Sequence, residues 1–137
     1  MSTTLLALIG FVSWALLLLV LMEAIRAMLV VTHRVPANRF TPDNAGLSPF
    51  MQRLARAHAN CVESLPIFGG LMLIAVVADR TAITDSAALV FLAARVLQSL
   101  VHLASVSPRA VTLRFAFFVV QMGIGVYWAA RLLSTAG

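Results

Sequence analysis

Four long apolar blocks, each near the length of a bilayer crossing, restrict this chain to one kind of architecture. The first runs from about Thr4 to Met22 without a charge and continues through Glu23 and Arg26 to about Val31. The second runs from Ala59 to Ala78, broken only by Glu63 and Pro66. The third runs from Ala82 to Ala104 around a single Arg95, and the fourth from Val111 to Leu133 with Arg114 near its start. A helix needs about 20 residues to cross ~30 Å of hydrocarbon, whereas isolated strands leave backbone groups unpaired in lipid. The blocks therefore predict an all-α, integral membrane four-helix bundle. It forms a single transmembrane domain over residues 1–137, with helices over about 4–31, 51–78, 82–106 and 110–133. Composition agrees, with 61% apolar and 11% charged residues, where a soluble domain carries roughly 45–50% and about 25%. No room is left for a soluble catalytic domain. The lone Cys61 excludes an intrachain disulfide and any multi-cysteine metal site. The first block has no basic n-region and exceeds the length of a signal core, so it reads as a retained helix.

All ten basic residues are arginines and the net charge is +5. Arginines flanking apolar spans set orientation, and no stretch alternates basic with aromatic residues as a single-strand stacking groove does. The segment from His33 to Phe50 holds Pro36, Pro42, Pro49 and Gly46, so it reads as irregular. With its flanks it carries Arg26, Arg34, Arg39, Arg53 and Arg56 against Asp43. The second loop, Asp79 to Ser86, has Arg80 and two aspartates, while the third, Ser105 to Thr112, has Arg109 with Arg114 close behind. The positive-inside rule puts loops 1 and 3 in the cytoplasm and both termini outside, against the weaker vote of Arg131.

Polar residues inside the apolar spans are the informative ones. An ionised side chain at mid-membrane costs about 2.5–3.5 kcal/mol on insertion scales, so it needs a partner or a wet cavity. Arg53, Arg56, Asn60 and Glu63 follow one another at spacings of 3, 4 and 3 residues. They form one stripe on the second helix. One reading makes the arginines topology anchors with Glu63 paired to Arg56; the other makes the stripe a site with both signs of charge and an amide. Arg95, Gln98, His102 and Ser105 repeat the same spacing on the third helix. Arg95 reads as a buried clamp for Glu63 or another helix, and His102 as an interhelical hydrogen bond. Pro108 is expected to break or kink that helix before Arg109. His33, His58 and His102 share no metal-ligand spacing. Glu23 and Arg26 are expected to pair. An intramembrane glutamate in the first helix also fits a small proton-coupled multidrug exporter, which leaves the long first loop and the arginine-rich second helix unexplained. Gly69-Gly70 and Gly123-x-Gly125 permit close helix approach. Nucleotide-binding, zinc-protease and serine-hydrolase motifs do not occur.

At residues 56–68 the chain reads R-A-H-A-N-C-V-E-S-L-P-I-F. This resembles the signature of the MAPEG family, the membrane-associated proteins in eicosanoid and glutathione metabolism: R-A-x-x-N-x-x-E followed shortly by P-x-F. The likeness extends over essentially the whole chain, including Ala94-Arg95, and is to bacterial-type members, which implies the inner membrane. It implies a left-handed four-helix bundle assembled as a homotrimer, with glutathione bound as co-substrate between neighbouring subunits near the cytoplasmic side. By position it implies glutathione binding by Arg56, Asn60 and Glu63, with Arg53 one turn before them in a stretch the family keeps basic. His33 or Arg34 stands where the family has a binding arginine, and Arg95 and His102 join the binding set. Arg109 matches the family's thiolate-stabilising, catalytic arginine, with Arg114 as the alternative. Gln98 and His102 occupy positions that often carry tyrosine. The implied activity is a membrane-bound glutathione transferase or peroxidase acting on apolar electrophiles or lipid hydroperoxides. Several arginines plus a glutamate complement glutathione's two carboxylates and ammonium, and an arginine near the thiol favours the nucleophilic thiolate. Cys61 reads as a small buried filler. A non-enzymatic trimer binding lipid or a membrane partner through the same cleft stands as the alternative.

Overall fold

The computed structural model describes residues 1–136. Four helices are long and apolar enough to cross a membrane: α1 (Thr3–Val31), α2 (Pro49–Val77), α3 (Thr81–Ala104) and α4 (Pro108–Thr135). Among the described residues there is no strand. The turns joining α2 to α3 and α3 to α4 are three residues each, which makes those neighbours antiparallel. The third helix packs against the other three, while α4 leans mainly on α3.

Local chemistry sets the helix starts. Ser2, Ser48 and Ser107 each accept from the backbone N–H three residues on, at Leu5, Met51 and Ala110. Pro49 and Pro108 sit in the first turns behind two of these caps, where their missing N–H costs nothing. Pro108 therefore starts α4 rather than kinking α3, which ends at Ala104 because Ser105 is extended. The same logic begins α2 at Pro49, before the expected start at 51. Pro66 lies inside α2, and the helix absorbs its missing donor in a π-helical turn over Leu65–Gly69.

An aromatic cluster joins the helices in the interior, and many aliphatic side chains face outward. Phe91 of α3 sits 5.6 Å from Phe11, 5.0 Å from Phe68 and 5.5 Å from Trp128, joining all four helices. Leu16, Leu17, Val20, Leu73, Ile74 and Val126 point outward and are exposed, as a surface facing lipid tails requires.

Both ends of the bundle are tied by side chains. At one end Asp85 of α3 serves the first turn of α1. Its Oδ1 accepts from the Thr4 N–H at 2.9 Å and the Thr4 hydroxyl at 2.7 Å. At the other end Arg26 closes the first loop. It donates to Asn44 Oδ1 from Nε at 3.0 Å, to the Thr41 carbonyl at 3.0 Å, and pairs with Glu23 at 3.0 Å. Asn44 is fully buried, has the left-handed φ of +57°, and donates to the Met51 carbonyl at 2.7 Å. Asparagine tolerates that backbone region better than most residues. Seven of the ten arginines (26, 34, 39, 53, 56, 109 and 114) lie at this loop-1 end. Arg80 and Arg131 lie at the other end, as do Asp79 and Asp85.

Candidate functional site

Polar side chains gather where α2, α3 and α4 meet in the loop-1 half of the bundle. Arg95 of α3 is the deepest and is essentially fully buried. Its Nη1 donates to Asn60 Oδ1 at 2.6 Å and its Nη2 to the Ser64 hydroxyl at 2.8 Å, both on α2. The guanidinium also lies over the Phe11 ring, 5.6 Å from its centroid. The only ion pair among the described residues is Glu23–Arg26. The Arg95 cation is thus held by neutral dipoles and a ring face, with its Nε left unpartnered. Such an arrangement keeps a net positive charge inside the bundle.

Two more rungs join α3 to α4. Gln121 is fully buried and donates from Nε2 to Gln98 Oε1 at 2.8 Å and to the Phe117 carbonyl at 3.1 Å. One turn nearer the loop-1 end, Arg114 Nη1 donates to His102 Nδ1 at 3.1 Å. Arginine has no acceptor, so the ring must supply the lone pair.

Beside this ladder a groove of about 720 Å³ opens between α2 and α4. Ile67, Phe68 and Leu71 form one wall, Phe118, Met122 and Val126 the other, and Asn60, Glu63 and Ser64 its polar end. Close approach of the two helices depends on Gly125. A Cβ there would come within 2.7 Å of Phe68 Cε1.

The structure brings some of the residues singled out from sequence together and sets others apart. Asn60 and Arg95 are in direct contact, with Glu63 at the same groove end. Arg56 lies one turn from Asn60, and both Arg56 and Glu63 are exposed with no hydrogen-bond partner among the described residues. The Arg56–Glu63 pair of the anchoring reading is absent, and the clamp on Arg95 is Asn60 with Ser64 rather than Glu63. Arg53 caps the end of α3, donating from Nε to the Leu103 carbonyl at 2.8 Å. It also flanks a cavity of about 220 Å³ with Arg56, Pro49, Gln52 and Val106. His102 and Arg114 engage one another inside the protomer. Arg109 stands apart: it is exposed and shares a shallow depression with Pro108, Thr112, Leu113 and Ala116. Arg34 is exposed in the first loop, outside the α2–α4 groove. Ser64 and Gln121 were not among the sequence candidates. Ser64 lies four residues beyond Asn60 and so extends the α2 stripe, a signal that spacing did carry. Cys61 is fully buried.

Glu23 is bound to Arg26 and its side chain is about half exposed at 53%. It has no buried environment of the kind a proton-carrying carboxylate needs.

Compared with known proteins, the chain matches the sequence model described as the MAPEG family over residues 4–134. No curated protein and no solved structure matches it.

Proposed function

The chain belongs to the MAPEG family, and from that premise we propose that it is a membrane-bound glutathione-dependent transferase or peroxidase. Membership supports an integral membrane role in glutathione or eicosanoid chemistry in general. The narrower reading is carried by one observation: a buried guanidinium, Arg95, without a carboxylate partner, held by Asn60 at the polar end of an apolar groove. The exposed Arg56 and Glu63 stand beside it. An anionic ligand there would neutralise charge that the protein leaves uncompensated, and an apolar co-substrate would fill the groove from the bilayer.

In this reading Arg56 holds a glutathione carboxylate, bidentately where geometry allows. Glu63 accepts from the ligand's ammonium, and Asn60, fixed by Arg95, orients the peptide backbone. The thiol loses its proton to water, and a guanidinium favours the thiolate that remains. For an electrophile the sulfur forms a C–S bond as the leaving group departs or the adjacent π bond opens. For a hydroperoxide it attacks the O–O bond, leaving an alcohol and a glutathione sulfenic acid, which a second glutathione converts to disulfide and water. Arg109 is the proposed thiolate-stabilising residue. Its exposed position on α4, away from the α2–α4 groove, fits a site shared between subunits of a homotrimer, in which the neighbour supplies this arginine. The charge distribution supports loops 1 and 3 in the cytoplasm, where glutathione is available.

The test is isothermal titration of glutathione into detergent-solubilised protein, with Arg56→Ala and Glu63→Ala in parallel, followed by turnover on a panel of electrophiles and hydroperoxides. Binding weakened at least tenfold in both variants supports the site. Equal affinity in all three proteins removes it. Binding of lipid without thiol turnover favours the non-enzymatic alternative.

A further inference from the structure

His102 and Arg114 form a pair whose chemistry is more restricted than a generic interhelical hydrogen bond. Arg114 of α4 touches the His102 ring through Nη1 to Nδ1 at 3.1 Å, and no carboxylate among the described residues lies within ion-pair distance of that ring. A guanidinium offers five N–H groups and no lone pair. An N–H on Nδ1 would set donor against donor at that distance. The contact requires the lone pair on Nδ1, and the ring proton then belongs to Nε2. The tautomer is dictated by the partner, as it is wherever the second nitrogen of a histidine is fixed.

The ring is buried, and Nε2 has no hydrogen-bond partner among the described residues. The imidazole therefore presents one unengaged donor inside a region crowded with positive charge. Another cation cannot satisfy that donor; an anionic or carbonyl oxygen, or a thiolate, can. His102 lies on α3 seven residues from Arg95, two turns along the same face, and Arg95 in turn grips Asn60.

We infer that Arg114 is a positioning residue that locks His102 as the neutral Nε2–H tautomer, and that this N–H donates to the anionic ligand bound beside Arg56 and Asn60. The proposal rests on the glutathione reading above and deepens it. It gives Arg114 a role distinct from that of Arg109: Arg114 faces inward and acts through the ring rather than on the sulfur. A neutral donor adds a directed hydrogen bond without adding a further charge to the niche.

The experiment uses full-length protein in lipid nanodiscs, labelled with ¹⁵N-histidine, with His33→Gln and His58→Gln variants to assign the three rings. Wild type is expected to show Nδ1 unprotonated and Nε2 protonated at His102. Arg114→Ala is expected to release the ring into a tautomer mixture, and Arg114→Lys to restore the lock in part; size-exclusion elution and circular dichroism verify that each variant is folded. Glutathione is expected to move the Nε2 resonance, and calorimetry on the same samples records whether it binds. Arg114→Ala should weaken glutathione about three- to tenfold, with Arg114→Lys between it and wild type. A protonated Nδ1 in wild type, or a tautomer unchanged in Arg114→Ala, overturns the lock. Bound glutathione that leaves the Nε2 resonance unmoved overturns the ring's contact while sparing the glutathione reading. An intact lock with no heat of glutathione binding removes that reading and the ligand role of His102 with it.

Discussion

Arg95 of α3 and Asn60 of α2 meet at 2.6 Å, with the same guanidinium reaching Ser64 one turn further along α2. One cation thereby fixes two neutral side chains of the neighbouring helix, and Asn60 owes its orientation to a residue 35 positions away. Arg95→Met should leave both without a partner. Loss of one partner from a buried hydrogen bond costs about 1–3 kcal/mol, so thermal unfolding in detergent should shift down. Glutathione affinity should fall about tenfold, the equivalent of ~1.4 kcal/mol. Arg95→Lys should recover stability better than affinity, since an ammonium lacks the planar fork. Undiminished glutathione affinity in Arg95→Met would detach this residue from the site.

Gln98 and Gln121 test whether a buried amide pair is worth keeping. Gln121 Oε1 has no partner while its Nε2 serves Gln98. Either single leucine substitution should destabilise by about 1–2 kcal/mol, because it strands an amide in the interior. The double variant should lose less than the sum of the two singles. Additive losses in the cycle would mean that the pair has no mutual energy.

Gly125 is the point where α4 comes closest to Phe68. The Phe68 ring cannot retreat freely, since it packs 5.0 Å from Phe91 and edge-on to Phe118 at 6.4 Å. Gly125→Ala should therefore cost about 1–3 kcal/mol as overpacking, and Phe68→Leu in the same chain should return much of it. A Gly125→Ala protein as stable as wild type would show that α4 slides away at no cost.

Much of this was legible in the sequence, and what was not has identifiable physical reasons. Hydropathy located the spans, since only helices satisfy the backbone in lipid. Helical spacing put Arg53, Arg56, Asn60 and Glu63 on one stripe, and it pointed to an interhelical bond for His102. Spacing along one helix cannot name a partner on another. Arg53 found the Leu103 carbonyl and Asn60 found Arg95, both through the register between helices. The π-helical turn at Leu65–Gly69 inserts an extra residue into α2, so the stripe's phase does not continue past Ser64. The resemblance favours Arg109 over Arg114 as the thiolate-stabilising arginine, and Ser107 and Pro108 fix where α4 begins. Five helical residues then separate them by roughly 140° around the axis, one outward and one inward.

Arg26 has two kinds of partner. Its bonds to Asn44 and Thr41 tie the loop to α1, whereas Glu23 gives it only a half-exposed partner. Glu23→Gln should leave stability within about 0.5 kcal/mol of wild type, as exposed pairs do, and should leave dye efflux untouched. Arg26→Ala should expose the loop, read as faster tryptic cleavage after Arg34 and Arg39. Equal cleavage in both variants would place the loop's restraint elsewhere.

Asp43 gives the same loop an acid response. The Thr41 hydroxyl and the Ala45 N–H both donate to its carboxylate and hold it below the ordinary aspartate range. A depressed folded value means the restraint is present above the unfolded value and lost as pH falls through the folded one. The Ala45 amide resonance should titrate with a midpoint under that of a free aspartate, and Asp43→Ala should abolish the titration. A midpoint at or above the free value would contradict these bonds.

The tie between Asp85 and Thr4 bears on how the chain enters a bilayer. The opening N–H groups of any helix lack intrahelical acceptors, and here the Thr4 N–H finds its acceptor on a residue 81 positions later. When α1 emerges during synthesis that carboxylate does not yet exist. The leading turn of the first span must stay hydrated at the membrane boundary until the third span arrives, so its final seating is a late, post-insertion event.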